Sequence, residues 1–142
     1  MDQNLKRTII LENYQNPINK GLIKDETYIK VNMNNESCID EINLMIKIID
    51  DKIVDIRFDG EACAICTSAT SVMIGTLLGK TINEVKEIYN NYENMINEKN
   101  YDGSLLGDAV IYDDIARQPN RKKCALLPWW GIKKVIDEIG KW

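Results

Sequence analysis

The sequence contains no histidine among its 142 residues. This absence excludes Ser-His-Asp triads, Cys-His nucleophile pairs and HExxH zinc sites, and it removes imidazole as a metal ligand. Long apolar runs are also missing, because the longest one, residues 125–132, contains Pro128 and Gly131 and is far shorter than a membrane span. We therefore expect neither a histidine-based hydrolase nor a membrane-spanning protein.

Positive charge is scarce as well. The 18 lysines and arginines are outnumbered by 22 acidic residues, which gives a net charge of −4 and disfavours a nucleic-acid partner. The N-terminus lacks the apolar stretch of a signal peptide, and four cysteines are too few for a small disulfide-stapled domain. These features predict a cytoplasmic protein whose thiols serve metals or chemistry rather than disulfides.

The first half of the chain predicts one helix followed by a small sheet. Length and composition favour a single domain over residues 1–142. Apolar residues at helical spacing indicate a helix over 5–15, and residues 28–32 are typical of an edge strand. Residues 41–50 and 53–58 alternate apolar and polar side chains with a period of two, which predicts an antiparallel hairpin.

The second half predicts helices only. A run rich in small residues indicates a closely packed helix over 64–78, and Thr81 begins a capping box for the next helix. A short helix over 105–117 and a final helix over 124–141 follow, the latter with Pro128 in its first turn. The fold class is therefore α+β, a three-stranded antiparallel sheet with helices packed on it.

The cysteines stand at positions 38, 63, 66 and 124. Three of them, Cys38, Cys63 and Cys124, lie at predicted ends of elements, and Asp40 follows Cys38 by two residues. A helix N-terminus at Cys63 and Cys124, and the basic run 121–123, would favour the thiolate form. In a chain without histidine, three thiolates and one carboxylate make a tetrahedral ligand set for zinc.

Other interpretations of the cysteines remain open at this stage. A single cysteine on an apolar face is often a small core residue. Cys63 and Cys66 form a C-x-x-C pair, but a redox motif of that kind belongs near a βαβ unit rather than after an antiparallel hairpin. Cys66, one turn into its helix, is either a further ligand or a buried residue.

Several linked motifs resemble one family. ENYQNPINKG, the Cys38-x-Asp40 step, FDGEACAICTSATSVM and RKKCALLPW occur in the order seen in the IscU/NifU N-terminal family of iron–sulfur cluster assembly proteins. The long spacing between Cys63 and Cys124, with an insertion in the region 90–106, resembles the SufU type. The LPPVK motif and the histidine before the third cysteine, both typical of IscU scaffolds, are absent.

The resemblance implies a SufU/IscU-like fold and a Zn²⁺ site formed by Cys38, Asp40, Cys63 and Cys124. It also implies that Cys38 is the catalytic sulfur acceptor of a sulfurtransferase. The partner would be a SufS-type cysteine desulfurase, which lends a histidine to the zinc, and the sulfur would pass to downstream cluster assembly proteins. Arg121 matches an arginine near the metal in the family, which implies an electrostatic or partner-binding role.

Two alternatives accompany this interpretation. The first is a scaffold that binds a transient [2Fe-2S] cluster on the same residues, and the second is a domain whose zinc only stabilises the fold. The chain also departs from the family at Ile39, where the family has glycine, and at Cys66, where serine is usual. Together these departures raise the hypothesis that Cys66, rather than Asp40, is the fourth ligand.

Overall fold

A computed structural model describes residues 1–36 and 39–142 of the chain. One helix precedes the sheet, and all remaining helices follow it. The elements are α1 (Gln3–Gln15), β1 (Ile29–Asn34), β2 (Glu41–Ile49), β3 (Lys52–Glu61), α2 (Ala64–Leu77), α3 (Ile82–Ile96), two 3₁₀ helices (Gly103–Leu105 and Gly107–Arg117) and α4 (Pro119–Glu138). The predicted α+β class, with helices packed on three antiparallel strands, is confirmed.

The sheet has the order β1-β2-β3, with β2 in the centre. Alternate side chains of β2, Ile42, Leu44 and Ile46, are almost completely buried, as the period of two predicts. They lie opposite Gly60, Phe58 and Ile56 of β3. This face of the sheet forms the core together with α2 and α4.

Helix α2 is the central helix of the molecule. Its residues from Ile65 to Ile74 are all buried, including two serines and two threonines. Small side chains allow close approach of neighbouring elements, and α2 contacts α1, α4, β3 and the 3₁₀ helix Gly107–Arg117. The small-residue run in the sequence correctly predicted this close packing.

The bounds of α4 differ from the sequence-based prediction. The helix begins at Pro119 rather than at Cys124, and Pro128 lies inside it rather than in its first turn. Proline is well tolerated at the first helical position, because the amide hydrogen that it lacks would have no partner there. Pro119 therefore starts the helix, five residues before the predicted start at Cys124.

A buried lysine of helix α1 forms ion pairs with the 3₁₀ helix Gly107–Arg117. The Nζ of Lys6 lies 2.7 Å from Asp113 Oδ1 and 3.0 Å from Asp114 Oδ2. The hydrogen bond to Asp113 is the main cause of a raised pKa for Lys6, so the side chain is fully charged at neutral pH. The two aspartates thus hold α1 in place over the helical layer.

Gly60 permits the close pairing of β2 and β3 next to the start of α2. Its φ is +139°, and a Cβ built on it would lie 2.0 Å from the backbone oxygen of Glu41. Any other residue would push the beginning of β2 away from the end of β3. The distance between Asp40, directly before β2, and Cys63, two residues after β3, therefore depends on this glycine.

We expect Gly60→Ala to lower the free energy of unfolding by roughly 3 kcal/mol or more, because it combines a disfavoured φ with a backbone clash. The matched control is Gly79→Ala, where φ is +80° and no atom lies within 4 Å of the added Cβ. That control should cost only about 1 kcal/mol. Urea unfolding measures both values, and equal losses would show that the contact with Glu41 does not matter.

Candidate metal centre

Asp40 is a buried carboxylate immediately before β2. Its side chain is only 1% exposed, and its Oδ1 accepts a hydrogen bond of 2.7 Å from the backbone amide of Cys63. Its backbone oxygen accepts a second hydrogen bond of 3.0 Å from the amide of Asn35. A buried carboxylate needs a donor such as the Cys63 amide, because removing its charge from water is costly. The chain around Asp40 therefore fixes the direction of its side chain.

Cys63 is the N-cap of α2. Its backbone is extended, with φ −65° and ψ 168°, and its Sγ accepts a 3.4 Å hydrogen bond from the amide of Cys66. The Sγ lies 3.8 Å from Oδ2 of Asp40, and the side chain is half-buried. The prediction that Cys63 begins a helix is confirmed, and its sulfur receives one of the free amides at the helix start.

Cys124 lies in the second turn of α4 and is 5% exposed. Burial is the main cause of a raised pKa for its thiol, and the neighbouring Asp40 and Cys63 raise the pKa further. The sequence predicts the opposite, a thiolate favoured by a helix N-terminus and the basic run 121–123. That expectation was wrong because the helix begins five residues earlier and the thiol lies in the interior.

These three side chains form a compact group. One ligand atom from each of Asp40, Cys63 and Cys124 lies within 4.8 Å of the others. The donors are two sulfurs and one carboxylate oxygen, a set that suits zinc in a tetrahedral site with one further ligand. A buried carboxylate beside two thiols is also an expensive arrangement without a cation. The residues present therefore fit a bound metal ion.

The remaining candidates occupy different places. Cys38 lies outside the described residues. Cys66 is completely buried in the hydrophobic core, and the metal-ligating group found among the described residues does not include it. Arg121 is exposed in the first turn of α4. Ile39 is 78% exposed, and its presence in place of glycine does not keep Asp40 from Cys63 and Cys124.

The sequence analysis missed two residues that build this site. Gly60 sets the distance between the β2 and β3 ends that carry Asp40 and Cys63, and Asn35 bonds the backbone of Asp40. A glycine near the end of an alternating strand is a usable signal for a close backbone approach. The role of Asn35 depends on its backbone amide, for which the sequence carries no signal.

Comparisons with known proteins agree with this geometry. The family described as NifU-like N terminal domain matches residues 5–125. The zinc-dependent sulfurtransferase SufU of Bacillus subtilis is 37% identical over 133 residues, which are 93% of this chain and 89% of that protein. The iron-sulfur cluster assembly scaffold protein IscU of Thermotoga maritima is 30% identical over 122 residues, 86% of this chain and 85% of that protein.

A solved structure shows the same fold. It is described as a proposed iron-sulfur cluster assembly scaffold protein for the SUF system of Fervidobacterium islandicum. The two chains are 36% identical and superpose with a TM-score of 0.83, over 88% of this chain and 91% of the other. Within residues 1–36 and 39–142, no helix has the length and apolar character needed to cross a membrane.

We expect iodoacetamide to alkylate Cys63 faster than Cys124 in metal-free protein at pH 8. Alkylation requires an accessible thiolate, and Cys124 is buried with a raised pKa, whereas Cys63 is half-buried. Peptide mass spectrometry over a time course gives the two rates separately. The rate at Cys124 should increase as the pH is raised, and faster labelling of Cys124 than of Cys63 would contradict the described geometry.

Proposed function

Since this chain belongs to the family of NifU-like N-terminal domains, we propose that it acts in iron–sulfur cluster assembly as a zinc-dependent sulfurtransferase. The observation that carries the proposal is the group formed by Asp40, Cys63 and Cys124, whose ligand atoms lie within 4.8 Å of one another. A relative named as a zinc-dependent sulfurtransferase covers nearly the whole chain, which supports both the metal and the activity.

In this proposal Asp40, Cys63 and Cys124 hold the zinc, and Cys38 is the fourth ligand. The assignment of Cys38 follows from the resemblance of the Cys38-x-Asp40 step to the family's motif. Bound zinc lowers the pKa of its thiol ligands and keeps them deprotonated. Asp40, Cys63 and Cys124 would hold the metal, and Cys38 is the thiol that we assign to react with the sulfur donor.

The proposed reaction moves one sulfur atom without net oxidation. The Cys38 thiolate attacks the terminal sulfur of a persulfide on a cysteine desulfurase, and a new S–S bond forms at Cys38. The S–S bond in the desulfurase breaks, and its cysteine leaves as a thiolate. The persulfide on Cys38 then carries the sulfur to the proteins that assemble the cluster. Arg121 is exposed in the first turn of α4, and we assign it the role of contacting such a partner.

The second candidate function is a scaffold that holds a transient [2Fe-2S] cluster. It is favoured by the names of two relatives, both described as assembly scaffolds, and by a ligand group rich in thiols. Cysteine thiolates are also the usual ligands of iron in such clusters. Elemental analysis of protein purified without added metal separates the candidates, since a cluster gives iron, sulfide and a brown colour, whereas zinc gives none of these.

We expect Cys38→Ala to abolish stimulation of a SufS-type cysteine desulfurase while the protein stays folded. Stimulation is measured as the rate of alanine formation from cysteine, and it should return to the rate of the desulfurase alone. Cys66→Ser is the matched control, because it also removes one thiol but should keep the stimulation. Stimulation that survives in Cys38→Ala would show that another residue accepts the sulfur.

We expect Asp40→Ala to lower the zinc content well below the value of about one per chain expected for a single tetrahedral site. The reason is the loss of the only carboxylate in the group, which also bonds the amide of Cys63. Cys66→Ser should keep its zinc, because Cys66 lies in the core. Elemental analysis gives both values, and zinc lost from Cys66→Ser but retained in Asp40→Ala would show that Cys66, rather than Asp40, is the ligand beside the three other cysteines.

A further inference from the structure

Pro128 weakens α4 at the turn that carries Cys124. In an α-helix the amide of residue 128 would bond the backbone oxygen of Cys124, and proline has no amide hydrogen to donate. The chain therefore lacks this helical bond at the one residue of α4 that belongs to the metal-ligating group. Something outside the helix has to hold the turn if the direction of the Cys124 side chain is to be fixed.

Tyr92 of α3 contacts both Ala125 and Trp129, which are the two ends of the turn that contains Pro128. Its Oη donates a hydrogen bond of 2.8 Å to the backbone oxygen of Ala125, the residue after Cys124. Its ring stacks on Trp129, the residue after Pro128, with 4.2 Å between ring centroids and 14° between ring planes. Ala125 and Trp129 are one turn apart, so a single side chain spans the turn that contains Pro128 and directly follows Cys124.

The contact is completely buried. Tyr92, Ala125 and Trp129 each have an exposed fraction of zero. Burial raises the pKa of Tyr92 well above its usual value, so its hydroxyl keeps its proton at neutral pH and remains a donor. Water does not compete for the backbone oxygen of Ala125, which makes the hydrogen bond a persistent one.

Tyr112 provides a natural comparison. It is as deeply buried as Tyr92, and its hydroxyl donates a 2.7 Å hydrogen bond. That bond goes to the side chain of Ser68 on α2 and does not involve the backbone of α4. The two tyrosines therefore differ in their hydrogen-bond acceptors, the backbone of α4 for Tyr92 and the Ser68 side chain for Tyr112, rather than in burial or in bond length.

We propose that Tyr92 is a positioning residue for the metal centre, which holds the turn of α4 weakened by Pro128 and so directs Cys124 towards Asp40 and Cys63. This inference rests on the proposed metal-binding function. It predicts that the Tyr92 hydroxyl contributes to metal affinity although its hydrogen bond goes to the backbone of Ala125 rather than to Asp40, Cys63 or Cys124. Groups that hydrogen-bond a metal ligand commonly affect metal affinity by about 10- to 100-fold. Tyr92 acts through the neighbouring backbone, so we expect an effect at the lower end of this range.

The test compares Tyr92→Phe with Tyr112→Phe in the full chain. Competition with a chromophoric chelator gives the Kd for zinc, and Tyr92→Phe should weaken binding about tenfold. Tyr112→Phe should bind zinc like the unaltered protein, although both variants lose one buried hydroxyl and should lower the Tm of the metal-free protein to a similar extent. Cobalt-loaded samples give a second measurement, because the visible bands of tetrahedral cobalt should shift only in Tyr92→Phe.

A double-mutant cycle with Pro128→Ala tests the role of the weakened turn. Alanine restores an amide that can bond the backbone oxygen of Cys124, so Tyr92→Phe should have little effect on the zinc Kd in that background. Equal losses in both backgrounds, equal losses in the two tyrosine variants, or unchanged binding in Tyr92→Phe would each overturn the inference. Failure of the unaltered protein to bind zinc would instead overturn the proposed function on which the inference rests.

Discussion

The hydrogen bond from the Cys63 amide to the buried Asp40 carboxylate is the contact on which the site depends. It joins the residue before β2 to the residue that caps α2, so the sheet and the central helix meet there. The carboxylate cannot turn away, because it has almost no access to water and would lose its partner. The close pairing of β2 and β3 at Gly60 brings the two residues within reach of each other.

Most of the fold could be predicted because its strongest signals are local. Alternation in β2 and β3, the capping box at Thr81 and the small residues of α2 each act over one element. The start of α4 was predicted wrongly because a proline can either end or begin a helix, and the choice depends on tertiary packing. The predicted environment of Cys124 was wrong for the same reason, since the helix start decides whether its thiol lies at an end or in the interior.

The metal-ligating group could be predicted only in part. Residue types at predicted element ends suggested Cys38, Cys63 and Cys124, with Asp40 two residues after Cys38, and the motif resemblance implied the same four residues. Geometry brings Asp40, Cys63 and Cys124 together, while Cys38 lies outside the described residues and stays a prediction. The hydrogen bond from α3 could not have been predicted, because Tyr92 donates it to a backbone oxygen of α4, and a sequence carries no signal for a bond of that kind.

The three grouped ligands are widely separated along the chain, and the last of them is in the final helix. During synthesis on a ribosome, the sheet and α2 emerge long before Cys124 does. A nascent chain at that stage carries Asp40 and Cys63 but lacks the helix that covers them. The complete group therefore cannot form until α4 has left the ribosome, and until then the nascent chain holds only part of the ligand set.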